Sequence, residues 1–251
     1  MSTPRLELDI GAVQHNAATL VEALGQLGIA VTGVTKAVLG SPVVGAAMLR
    51  AGVARLGDSR VENLERLRRA GITAETMLIR SPLPSQVDRV VAVADISCVT
   101  DPHVVQALSA AAVAAGTVHR IVVMVDLGDR REGVMPDDLV DTARLMSALP
   151  GIALHGIGTN LACQNGVCPD PSNMARLSDL ADEVEREVGV ALTLVSGGNS
   201  ANLEWALSAP AADTGRIDDL RLGEAILLGR ETLHRRPVAG LRTDAASLVT
   251  E

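Results

Sequence analysis

The sequence predicts an α/β protein, a (β/α)8 TIM barrel, and three observations carry that prediction. Eight short apolar runs rich in Val, Ile and Leu alternate with amphipathic stretches at helical spacing, the pattern of repeated parallel βαβ units. Eight strands close a barrel, and a span from residue 30 to 230 fits the lower end of typical barrel size. Polar groups collect just past the apolar runs: Lys36, Asp58 to Arg60, Arg80 and Ser81, Thr100 and Asp101, Asp126 to Arg131, Thr159 and Asn160, Ser196 to Ser200, and Arg221 with Gly223. An open doubly wound sheet is the alternative architecture for such alternation.

The chain begins outside the repeat. Arg5–Ile10 alternates as a strand, and Gly11–Leu27 carries Val13, Leu20, Leu24 and Leu27 at roughly helical spacing. The barrel strands then read Ala30–Thr35, Ala54–Gly57, Thr76–Ile79, Asp95–Val99, His119–Val125, Ile152–Ile157, Ala191–Val195 and Asp219–Leu222. Helical stretches between them include Ser41–Ala51, Val61–Ala70, Pro102–Ala115, Asp137–Ala148 and Ser172–Val188. Pro136 and Pro171 suit helix starts, where a missing N–H costs nothing. Past the barrel, Asp244–Glu251 reads as another strand that stops without a turn or polar tail. The expected domains are a barrel over residues 11–235 and, at 1–10 and 236–251, strands of an incomplete C-terminal-type β domain.

Composition narrows the function classes. A chain of 251 residues, 47% hydrophobic, can bury a large core, and with no Phe, no Tyr and only Trp205 that core must be aliphatic. A net charge of −8 argues against nucleic-acid and anionic-membrane partners, both of which reward basic surfaces. No apolar run reaches the roughly 20 residues of a bilayer span, and the N-terminus lacks the basic and apolar regions of a signal peptide. Cys98, Cys163 and Cys168 are too few and too scattered for a disulfide framework, and their spacing is not that of a zinc knuckle. A cytoplasmic protein without a metal is therefore expected.

Two stretches carry chemistry. VTGVTKAVLG, residues 31–40, sets one cation, Lys36, among residues suited to a buried strand: Val31, Val34, Val38 and Leu39. A lysine in such a place snorkels, is paired or sheds its proton, because burying a lone ammonium is costly. At the C-terminal end of a barrel strand, apolar surroundings can turn a lysine into an amine nucleophile. The second stretch is SGGNSAN, residues 196–202, between the seventh strand and a helix. Its glycines and Asn–Ser pair can converge backbone N–H groups on an anion, and the loops after strands seven and eight are the recurrent phosphate site of such barrels. A glycine-rich turn with no ligand is the plain alternative. A phosphorylated carbonyl compound such as pyridoxal 5′-phosphate would suit both stretches together.

With these residues in place, the sequence resembles the alanine racemase family, which joins a (β/α)8 barrel to a C-terminal β domain, and is most similar to its ornithine racemase-like branch. The segments VTGVTK, LGDSRVENL, MVDLGDRREG, GIGTNL, SGGNS and LRLGEAILLGRE fall in the family's order across nearly the whole chain. The resemblance implies that Lys36 carries pyridoxal 5′-phosphate as an internal aldimine. It implies that Ser200 and the backbone of Gly223 and Glu224 hold the phosphate, within the candidate cofactor-binding loop of Ser196, Gly197, Gly198, Asn199 and Ser200 read above from its residues. Arg221 is implied to face the pyridine nitrogen, and Arg131 to contact the cofactor's 3′-oxygen near the substrate carboxylate. An arginine gives up its proton with difficulty, so the ring nitrogen stays unprotonated and reprotonation is favoured over transamination. Asn160 occupies the place where classical members have a histidine, which implies a role beside the ring.

Two departures from the family pattern stand out. Leu39 occupies the stretch where classical members have a phosphate-contacting tyrosine. No tyrosine is present to act as the second base, which classical members take from the partner subunit's C-terminal domain. Cys163 is one candidate substitute, with a plain loop thiol as the alternative. The expected function is a racemase interconverting L- and D-forms of a small or basic amino acid, acting as a homodimer. The acidic loop of Asp126, Asp129 and Glu132 would receive a cationic side chain, or else form a solvated rim. A non-catalytic cofactor-binding protein, and a decarboxylase or aldolase on the same scaffold, are the alternatives. Without the C-terminal domain, cofactor binding with little racemase activity is expected.

Overall fold

The computed structural model describes residues 5–162, 166–208 and 213–249. The chain enters through β1 (Arg5–Leu8) and α1 (Ile10–Gly25). Asp9 starts α1 by accepting the Ala12 amide at 3.0 Å, which satisfies one of the amides a helix start leaves without a partner. Eight strands follow: β2 (Ala30–Val34), β3 (Arg55–Asp58), β4 (Thr76–Leu78), β5 (Ile96–Val99), β6 (His119–Asp126), β7 (Ile152–Asn160), β8 (Leu194–Asn199) and β9 (Asp219–Leu222). They pair in sequence order and β9 closes on β2, so the sheet is a barrel and not the open alternative. Between the strands run α2 (Pro42–Arg50), α3 (Val61–Arg69), α4 (Val87–Val93), α5 (Pro102–Ala114), α6 (Leu139–Ser147), α7 (Pro171–Val188) and α8 (Leu203–Ser208), with α9 (Glu224–Leu228) after β9.

Local sequence sets the helix starts. Asp101 and Asp170 cap α5 and α7 through the His103 and Asn173 amides, each just ahead of a proline at the first helical position. Pro136, expected to open an α-helix, opens a single 3-10 turn, Pro136–Asp138, and α6 begins only at Leu139. Helix α1 completes the outer ring beside α2, α8 and α9. Its buried Asn16 donates to the Ile226 and Arg242 carbonyls and accepts the Arg242 amide, which ties the start of the chain to its last segment.

Two apolar layers result. The larger lies between helices and strands, and a smaller one of Met77, Ile96, Cys98, Val122, Met124 and Leu194 fills the barrel. Below it the barrel floor is charged: Asp219 accepts from Arg55, and Glu75 pairs with both Arg55 and Arg120. Outside the barrel, β1 pairs antiparallel with β10 (Ala246–Val249) as a two-stranded ribbon. No helix among the described residues is long and apolar enough to cross a membrane.

The seventh barrel strand differs from the reading of the sequence. It starts at Leu194 rather than Ala191 and runs on through Asn199, so SGGN is strand and not loop. Ser196 pairs with Asp219 and Asn199 with Arg221, three residues against two, which places a bulge at Gly197 and Gly198.

Candidate functional site

Strand β2 ends at Val34, inside the stretch 31–40 that the sequence reads as suited to burial. Thr35 then leads a 3-10 turn, Lys36–Val38. That turn is pinned by Asp58 at the end of β3. The Asp58 carboxylate accepts from Thr35 Oγ1 at 2.8 Å, from Asn63 Nδ2 at 2.9 Å and from the Arg60 amide at 3.0 Å. Gly40 closes the turn at φ +64, where a Cβ would lie 2.7 Å from that of Asn63. Leu39 is 58% exposed at φ +53 and lies outside the cavity described next, so its side chain does not replace the tyrosine contact. The turn presents Lys36 to the open barrel mouth instead of burying it. Among the described residues no side chain pairs with its ammonium.

The mouth holds a cavity of about 450 Å³, within the range of small-molecule sites. Of the residues singled out from the sequence, Lys36, Arg131, Asn160, Asn199, Ser200, Arg221, Gly223 and Glu224 line it. Arg221, only 4% exposed, is fixed by three partners: the Thr159 carbonyl at 2.6 Å, Asn160 Oδ1 at 2.8 Å and the Ser196 hydroxyl. Ser196 in turn donates to Asp219 at 2.6 Å. Asn160 Nδ2 donates to Glu132 at 3.2 Å, so a chain of hydrogen bonds joins Arg221 to a carboxylate in the cavity. The Ser200 hydroxyl accepts the Ala225 amide at 3.2 Å and retains its own proton for a ligand. A Cβ at Gly223 would stand 3.1 Å from the Val34 Cβ and carbonyl, so glycine lets the ends of β9 and β2 meet.

Ser196, Gly197 and Gly198 do not line the cavity. Ser196 is buried beneath Arg221. A Cβ at Gly197 would approach Ile217 to 2.6 Å, and one at Gly198 would approach Asn202 Oδ1 to 2.1 Å. Asn202 accepts the Asn199 amide, and Asn199 Oδ1 accepts the Ala201 amide, so those two N–H groups serve the turn. The glycines are required by packing, which corrects the reading of this stretch as a converging set of anion-binding amides. The acidic loop is corrected likewise. Asp126 accepts the Gly128 and Arg130 amides and Asp129 accepts the Arg131 amide, leaving Glu132 as the member that faces the cavity. Burial raises the Asp129 carboxyl above its ordinary value. Cys163 lies outside the described residues.

The cavity also takes in residues the sequence did not single out. Ser59 and Arg80 follow β3 and β4 and were legible only as members of the polar rim. Leu6, Leu8 and Ala246 come from the ribbon, which no local pattern places against the barrel mouth. The arrangement offers an unpaired amine, a fixed guanidinium and a hydroxyl beside a helix start. Such a set suits a ligand with an electrophilic carbon at one point and anionic oxygens at another.

Residues 8–231 match the family described as Alanine racemase, N-terminal domain. The chain is 34% identical over 246 residues to an ornithine racemase from Acetoanaerobium sticklandii, covering 98% of this chain and 69% of that protein. It is 34% identical over 238 residues to a lysine racemase from Thermotoga maritima, covering 95% and 66%. The chain thus spans about two thirds of the length of these curated relatives. Among solved structures, an alanine racemase from Streptomyces coelicolor superposes with TM-score 0.81 at 21% identity, over 98% of this chain and 65% of that one. A D-threonine aldolase from Filomicrobium marinum gives 0.78 at 19%, over 96% and 67%. At such identities the structural likeness bears on fold alone, whereas the sequence match bears on descent. The chain belongs to the alanine racemase N-terminal domain family.

Proposed function

We propose that this chain is the cofactor-binding barrel of a pyridoxal 5′-phosphate-dependent amino-acid racemase acting on a basic amino acid of the ornithine or lysine type. The observation that carries this reading is the convergence of an unpaired Lys36 and a three-partner Arg221 on one cavity, with Ser200 and Gly223 at its β8–β9 side. That donor set fits the cofactor: an amine for its aldehyde, a guanidinium for its ring and a hydroxyl for its phosphate. When bound, the cofactor supplies an electron-withdrawing ring that makes the substrate Cα–H acidic.

The chain's own residues do the rest. Lys36 would hold the aldehyde and would take or return the substrate's Cα proton. Arg221, its guanidinium fixed by Thr159, Asn160 and Ser196, would face the ring nitrogen and keep its own proton. Arg131 and Arg80 place two further cations at the mouth, where a substrate carboxylate can lie. The identity to ornithine and lysine racemases supports a basic substrate. The reading extends to a barrel over residues 11–235, to strands of a second β domain at 1–10 and 236–251, and to a homodimer.

The test is to add pyridoxal 5′-phosphate and then single enantiomers of ornithine, lysine, alanine and serine, following inversion by chiral chromatography. Inversion of ornithine or lysine, with a near-visible absorbance band that Lys36→Ala abolishes, is expected. No cofactor uptake overturns the whole reading. Uptake without inversion of any of the four overturns the racemase and leaves a binding protein.

A further inference from the structure

Inverting a stereocentre requires a proton taken from one face of Cα and a proton given to the other, so two groups on opposite sides of the substrate are needed. Lys36 is one, on the racemase reading above, on which this inference rests. Apart from the arginines Arg80, Arg131 and Arg221, the titratable side chains that line the cavity among the described residues are Lys36, Glu132 and Glu224. Glu224 follows β9, the strand that pairs with β2, so it rises on the same side as Lys36, and its carboxylate accepts the Thr232 hydroxyl at 3.0 Å. Glu132 follows β6. In the closed order, β6 is four strands from β2 in either direction, directly across the mouth.

Glu132 is also held in place. The chain after β6 folds back so that Val134 donates to the Met124 carbonyl at 2.8 Å and accepts the Asp126 amide at 2.9 Å. This return passes through Gly133 at φ +144, where a Cβ would lie 2.3 Å from the Asp126 nitrogen. Only glycine permits it, and the fold-back fixes Glu132 one residue away from the end of the strand. Its side-chain partner is Asn160, which shares its amide oxygen with Arg221.

We propose that Glu132 is the acid–base group opposed to Lys36, acting on the far face of the bound amino acid, with Asn160 as the positioning residue that couples it to Arg221. In one direction neutral Lys36 Nζ takes the Cα proton as the C–H bond breaks. The electron pair left behind forms a new C–H bond with the proton of the Glu132 carboxyl. The step ends with a Lys36 ammonium and a Glu132 carboxylate, the reverse direction exchanges their roles, and solvent exchange restores the starting forms.

Glu132→Gln and Glu132→Asp are compared with the wild type, all loaded with pyridoxal 5′-phosphate in D2O, using each enantiomer of ornithine and of alanine. For Glu132→Gln the inference expects cofactor uptake equal to wild type and inversion lowered about 100-fold or more for both amino acids. Deuterium still enters Cα of one enantiomer without inversion, and Glu132→Asp recovers part of the loss. A second readout needs no turnover. Carbodiimide-directed coupling of an amine to Glu132, followed by peptide mass spectrometry, falls when the loaded wild type holds α-methylornithine, which has no Cα proton. Unchanged labelling overturns the inference. So does a Glu132→Gln protein that inverts alanine at the wild-type rate and merely raises KM for ornithine, the result of Glu132 receiving the substrate's cationic end. A wild type that inverts nothing overturns the racemase reading itself, a different outcome from inversion that survives without Glu132.

Discussion

Asp219 offers the sharpest test of how the barrel floor supports the site. It is fully buried and accepts from Thr32 at 2.6 Å, from Arg55 at 2.8 Å and from Ser196 at 2.6 Å, and Ser196 in turn accepts from Arg221. Asp219→Asn keeps the shape and removes the charge. Breaking one side of a buried ion pair typically costs about 3–5 kcal/mol. Arg55 retains Glu75 at 2.7 Å, so the lower end of that range, about 3 kcal/mol, applies. In a chain of this size each kcal/mol moves Tm by roughly 2–4 °C, so a fall of about 6–12 °C is expected. Thermal unfolding followed by circular dichroism at neutral pH, with urea unfolding as a check on the slope, reads it. A variant melting within about 2 °C of wild type would show that the Asp219 charge does not hold Arg55 and Ser196 in place.

Two further perturbations follow from the same coordinates. His119, 2% exposed and sharing a hydrogen bond with Ser97 at 2.9 Å, has its pKa pushed down to about 4 by burial, against an ordinary value of 6.5. Its stabilisation is therefore complete above about pH 6.5 and is lost towards pH 4, which amounts to about 2 kcal/mol at pH 5. Asp218, pushed up to about 6 by burial, acts in the opposite sense in the same window, so the effect is read as the pH 7-to-5 change in wild type minus that in His119→Gln. A difference under about 0.5 kcal/mol would refute the linkage. Gly198→Ala sets a Cβ against Asn202 Oδ1 at φ +143 and is expected to lower urea stability by about 2–3 kcal/mol. A midpoint equal to wild type would mean that the bulge in β8 relaxes at no cost.

The number, order and direction of the barrel strands were legible because each alternates with an amphipathic stretch and each carries its own apolar run. Lys36 was legible as a functional residue because a lone cation among Val and Leu is anomalous in any fold. Its surroundings were not, because the reading set Lys36 among residues suited to burial, whereas Asp58 from the next strand pins Thr35 and the turn that follows leaves Lys36 exposed. Composition alone made SGGNS a candidate anion loop. Which glycines serve a ligand and which serve packing depends on Ile217 and Asn202, neighbours no local pattern supplies. Arg80 and Ser59 were visible only as rim residues, because nothing in sequence separates a cavity-facing polar group from a solvated one.

The sequence by itself determined the repeated strand–helix unit, the aliphatic core and the lysine, since these are properties of runs a few residues long. Only the tertiary structure decided which charged groups meet. The link from Asp219 through Ser196 to Arg221, the link from Arg221 through Asn160 to Glu132, and the placement of Glu132 across the mouth from Lys36 all depend on groups carried by different strands or by the segments that follow them. Barrel closure sets those distances, because it fixes where each strand stands on the ring, and no segment of the chain contains that information alone.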